Sequence, residues 1–247
     1  MSAVGKELYQ LIIEEFERLV DSDEELAALM ATLSDYRAVD EYAKRIGEHL
    51  AAAFKKYVRG DLLPDGKMLQ DIADAAIRPL IENNRRLVNA TAEQVQALIN
   101  KSVGIGLKPV TPKPNTDRVD GIIKRLVEED NFDNVAWVLD APVRNITQSF
   151  ADDYVKANAD FQARAGLDPK ISRIVTTPCC KWCSDLAGTY TYGEHPEDIF
   201  RRHENCDCLV IYEPGDGRMQ NSHTKKWLDN ENARKIEERK QIGRNSR

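Results

Sequence analysis

Five cysteines lie between positions 179 and 208, and the 178 residues before them contain none. They form two close-spaced units, Cys180-Lys181-Trp182-Cys183 and His203-Glu204-Asn205-Cys206-Asp207-Cys208, with nineteen residues between Cys183 and His203. A structural zinc site takes four tetrahedral Cys or His ligands, commonly as two such pairs, and a Cys-x-x-Cys turn brings two thiolates to one ion without strain. An odd, clustered set of cysteines, with no export signal expected, points to metal ligation rather than disulfides. Cys180 and Cys183 supply the first pair. The second unit offers three donors for two positions: Cys206 with Cys208 gives a Cys₄ site, and His203 with either gives Cys₃His. Spacing alone does not choose among them, and Cys179 is the expected spare.

Four such ligands fill the coordination sphere, whereas a hydrolytic metal keeps one position open. No catalytic residue is therefore assigned. No βαβ pattern surrounds Cys180 and Cys183, which argues against a thioredoxin-like redox pair. His195 and His223 are read as surface or capping residues, and Trp182 as packing over the metal knuckle. The segment from about 170 to 214 has few large apolar side chains, so it is expected to need the metal for order. Zinc contributes an apparent ~10–16 kcal/mol to small modules of this kind.

The elements that must position these donors read as mostly helical. Leu8, Leu11, Ile12, Phe16 and Leu19 share one helical face, and Leu26, Leu29, Met30 and Leu33 continue the pattern after a break. Ser34 is the expected N-cap of a third run, Val39 to Tyr57, ended by Gly60. Met68 to about Leu87 is helical but carries Pro79, which should kink or break it. Thr91 and Gln94 fit a capping box opening a short helix to about Asn100. A Pro-rich connector spans residues 104–116. Helix resumes after Thr116, and another runs from Pro142 to Gly166. Three short β-branched and aromatic runs, Ile171–Thr177, Thr189–Tyr192 and Leu209–Tyr212, then flank the cysteines.

The expected fold class is mainly α, with a helical N-terminal part and a small α+β zinc-knuckle module near the C-terminus. The expected organisation is a helical domain at 1–103, the linker at 104–116, helices plus knuckle at 117–217, and a basic tail at 218–247.

The chain has 247 residues, with 35 basic and 41 acidic residues and a net charge of −6. It is too apolar for wholesale disorder. No run approaches the roughly 18 apolar residues of a membrane span, and no apolar stretch near the N-terminus suggests a signal peptide. Overall acidity argues against a DNA-coating protein, but residues 218–247 carry 9 basic and 4 acidic side chains. That tail is a candidate contact for DNA phosphates or an acidic protein surface.

The cysteine region resembles the phage Mu F-like minor head proteins, also called head-morphogenesis proteins. Their module reads Cys-x-x-Cys-x-x-Leu-x-Gly, then a strand, then His-Pro-x-Cys-Arg-Cys. Here the parts stand as Cys180-Lys-Trp-Cys183-Ser-Asp-Leu186-Ala-Gly188 and His203-Glu-Asn-Cys206-Asp-Cys208. The preceding helix Arg144–Gly166 and the strand Ile171–Val175 also fit, so the resemblance covers about 140–214. Glu204 stands where the family has proline, and Asp207 where it has arginine. The resemblance implies a minor capsid component acting in procapsid assembly at or near the portal. It implies portal and capsid proteins as partners, packaged DNA as a further contact, and location in the virion and, during assembly, the host cytoplasm. Two other classes stay open on the residues: a zinc-containing nuclease or toxin-like enzyme, and a DNA-binding accessory protein using the basic tail.

Overall fold

Amphipathic stripes build most of the molecule. The computed structural model describes residues 2–176, 179–203 and 206–215. Its helices are α1 (Ala3–Asp21), α2 (Glu24–Ala31), α3 (Tyr36–Tyr57), α4 (Gln70–Ile72), α5 (Arg78–Ser102), α6 (Thr116–Val127), α7 (Ala141–Arg164) and the short α8 (Lys181–Leu186). Three strands, β1 (Lys170–Ile174), β2 (Gly188–Thr191) and β3 (Leu209–Glu213), form one antiparallel sheet in the order β2-β1-β3. The chain is thus mainly α with a small sheet near its C-terminal end. The expected tail at 218–247, with His223, lies outside the described residues. No described helix is long and apolar enough to cross a membrane.

Local chemistry sets the helix ends. The Asp23 carboxylate accepts from the Leu26 backbone N–H at 2.9 Å and opens α2. α3 is capped by Asp35, one residue after the expected Ser34, and its carboxylate accepts from the N–H groups of Arg37 and Ala38.

Two expectations inside α5 are corrected. Pro79 does not break the helix. A π turn over Ala73–Ile77 precedes it, so Pro79 falls in the first turn of a renewed α-helix, where a missing N–H costs little. Thr91 does not open a new helix either. It is buried in the middle of α5, and its hydroxyl donates to the Leu87 carbonyl at 3.1 Å.

The longest helices pack around α3, whose most extensive partner is α7. They approach closely at Gly47. A Cβ built there would lie 3.1 Å from Thr147 Cβ and 3.2 Å from Arg144 Cα. Gly47→Leu is expected to force the pair apart and cost about 1–3 kcal/mol. Chemical denaturation checks this, and an unchanged midpoint would count against the close crossing.

One apolar core crosses the connector. It joins Phe54 and Ile81, before the prolines, to Leu126, Tyr154, Ile171 and Tyr212 after them. The connector is irregular backbone, but it is tied down. Val110 N–H donates to Asn158 Oδ1 at 2.8 Å, and Asn158 Nδ2 donates back to the Val110 carbonyl at 2.9 Å.

A buried polar network threads the same region. Tyr36 OH donates to Gln96 Oε1, and Asn100 Oδ1 accepts from both Gln96 and Gln162 at 2.8 and 2.9 Å. Tyr212 OH donates to Gln162 Oε1. The network links α3, α5, α7 and β3, so the sheet is docked on the helical body by polar and apolar contacts together. The cysteine region also has more apolar anchoring than its composition suggested: β1 and β3 place Ile171, Val210 and Tyr212 in the main core.

Candidate metal centre

The sheet carries the donors at one end. Cys180 caps α8, its sulfur 3.3 Å from the Cys183 N–H. The first helical turn then brings Cys183 inward. The second unit runs from the end of a 3₁₀ turn, Glu197–Phe200, to the start of β3. β1 pairs with both β2 and β3, and this brings the two units together.

All five predicted ligands converge. Cys180, Cys183 and His203 form one group with donor atoms within 4.8 Å of one another, and Cys183, Cys206 and Cys208 form a second. Either group can hold a metal ion, and Cys183 belongs to both. Its sulfur lies 3.0 Å from His203 Nε2 and 3.8 Å from Cys206 Sγ, while Cys180 Sγ lies 3.2 Å from the same His203 nitrogen. Cys179 is half-buried beside the cluster and joins neither group.

Burial pushes the Cys183 thiol well above the ordinary thiol range and raises that of Cys208, whereas the backbone N–H of Cys183 lowers Cys180. A divalent cation held by these sulfurs must displace their protons, so metal uptake releases acid. Soft sulfur donors with one imidazole fit zinc or a similar thiophilic ion.

Trp182 stands edge-on to His203, with ring centres 5.7 Å apart, as its place inside the first unit suggested. His195 sits apart from the donors, against Tyr192 and Phe200.

Sequence reasoning missed two buried arginines. Arg173 of β1 sends Nη2 toward the sulfurs of Cys183 and Cys206, at 3.7 and 3.5 Å. Its signal was strand alternation, because Arg173 lies two residues after the inward-facing Ile171. Arg202, beside His203, is clamped by Asp152 of α7 through Nε and Nη2 and by Asp40 of α3 at 2.6 Å. Lys44 of α3 pairs with Asp207 at 2.9 Å, and Asn145 of α7 donates to the His203 carbonyl. The second chelating unit is therefore fastened to both central helices.

Asp40 reports on that clamp. Burial, with Asp152 nearby, raises its carboxyl from 3.8 to about 6 against the pull of Arg202. The folded state then holds this proton more tightly than the unfolded chain does. The group's contribution to stability is complete below about pH 4 and is lost as pH rises through about 6. A shift of this size corresponds to about 3 kcal/mol. Asp40→Asn is expected to flatten the fall in stability between pH 4 and 6. Denaturation midpoints that keep the wild-type pH slope would exclude Asp40 as its source.

Compared with protein-family models, characterised proteins and solved structures, the chain matches none.

Proposed function

We propose that this chain is a non-enzymatic minor head protein of the phage Mu F-like type, acting in procapsid assembly at or near the portal, with a structural zinc in its knuckle. The observation that carries the reading is the convergence of the two motif units, Cys180/Cys183 and His203/Cys206/Cys208, on the shared sulfur of Cys183. Bound zinc would cross-link the loop after β1 to the loop before β3 and so fix the shape of the surface they present.

The surroundings support a structural rather than a catalytic ion. The donors line a small space of about 60 Å³, far below the size of a small-molecule substrate site. A larger cavity of about 560 Å³ is lined by Arg118, Trp137, Asn145 and Arg201 and by none of the cysteines. The fastening of the second unit to α3 and α7 also suits a rigid docking surface.

Metal analysis of the purified chain should find about one zinc. For the assembly role, the neighbouring genes should encode a portal and a coat protein; the chain should be co-expressed with them and the procapsids sedimented. Co-sedimentation that depends on the portal supports the reading. A chain that stays in the soluble fraction refutes it, and cleavage of plasmid DNA by the zinc-loaded protein would replace it with the nuclease class.

A further inference from the structure

Arg173 is 2% exposed and heads the largest fully buried side chains among the described residues. A guanidinium does not give up its proton in a protein, so its charge is buried with it and must be compensated. Arg202, also buried, meets this need with two carboxylates. Arg173 does not: among the described residues it forms no ion pair with Asp or Glu. Its Nη1 donates to the carbonyls of Ile199 and Arg201, its Nη2 to the sulfurs of Cys183 and Cys206, and its plane lies 5.3 Å over the Trp182 ring. Carbonyls and a ring face carry only partial charge. Of the groups that Arg173 touches, only the two sulfurs can become anions. Protonated, they are weak acceptors. Bound to a cation, they are thiolates.

We propose that Arg173 is the resident countercharge of the metal–thiolate centre, and that the two thiolates it neutralises, Cys183 and Cys206, are both metal ligands. This rests on the zinc reading above and deepens it by assigning one ligand from each chelating unit. The charge count agrees for the group that contains both sulfurs. Three thiolates, Cys183, Cys206 and Cys208, around a dication leave one negative charge, and Arg173 cancels it. Arg173 is thus a positioning residue that acts on the metal through its ligands, in the way hydrogen-bonded outer groups tune metal sites generally.

The test uses the full chain as wild type, Arg173→Gln and Arg173→Lys. Zinc affinity is measured by competition with a chromophoric chelator, and the thiolate-to-cobalt charge-transfer bands are recorded after cobalt substitution. Arg173→Gln is expected to weaken zinc binding about 10–100-fold and to shift the cobalt bands, with Arg173→Lys recovering part of both because it keeps the charge. Wild-type affinity and bands in Arg173→Gln would overturn the proposal, as would Arg173→Lys being no better than Arg173→Gln. Should Arg173→Gln fail to fold, Cys206→Ser decides. Loss of thiolate band intensity supports the assignment, and an unchanged spectrum overturns it. A wild-type chain that binds neither metal refutes the zinc reading and this proposal together, whereas a metal-binding wild type with unaffected variants refutes this proposal alone.

Discussion

Cys183→Ser is expected to strip the metal from the protein while leaving the helical body standing. Cys183 is the donor common to both ligand groups, so its loss leaves neither complete. It is also the most buried of the cysteines, 1% exposed, and Arg173 is directed at it. The fall in zinc affinity should exceed the about 10–100-fold that outer contacts typically carry. The exposed Cys180 belongs to one group only, so Cys180→Ser should be milder. The structural damage should be confined. β1 and β3 remain anchored by Ile171 and Tyr212 in the main core, whereas α8 buries just Cys183 and Leu186. Far-ultraviolet circular dichroism should therefore barely change. Proteolysis should open new cuts between about 175 and 208, and the near-ultraviolet signal of Trp182 should fade. Retention of one zinc per chain by Cys183→Ser would refute the shared-ligand geometry.

The parts of this molecule legible in the sequence were those with a period or a spacing. The stripe Val39, Ile46, Leu50 and Phe54 sets α3, and all four side chains are buried. The spacing within each chelating unit singled out the same donors that the fold brings close together. Local rules failed where tertiary contacts supplied what they assumed was missing. The π turn before Pro79 absorbs a break, and the interior of α5 gives Thr91 a back-bond to Leu87 in place of a cap. The polar core was harder still. Gln96, Asn100 and Gln162 look like exposed helix positions until their partners arrive from distant segments. The same holds at the site. Arg173 was readable from alternation along β1, but Asp40 and Asp152 are separated from Arg202 by 162 and 50 positions, and nothing local marks them as its partners.

Removing the arginine of that clamp should be the most damaging change outside the metal ligands. The side chains of Arg202 and Asp152 are each 2% exposed, and that of Asp40 is 13% exposed. Arg202→Leu would leave two buried carboxylates facing each other with no cation between them. Losing one partner of a buried pair costs about 3–5 kcal/mol, chiefly because the remaining charge stays uncompensated. The loss should depend on pH in a definite direction. Asp40 already takes up its proton near 6. Below that, one of the two stranded charges is gone, so Arg202→Leu should be less damaging at pH 5 than at pH 7. The charge-free combination of Asp40→Asn, Asp152→Asn and Arg202→Leu should regain a large part of the loss, because neutral buried polar groups are far cheaper than unpaired ions. Zinc binding should follow the same order, since Arg202 precedes His203 and seats it against α3 and α7. Denaturation of the single and triple variants at the two pH values, with zinc affinity measured alongside, checks each step. Equal destabilisation of Arg202→Leu at pH 5 and pH 7 would show that the clamp acts through packing rather than charge.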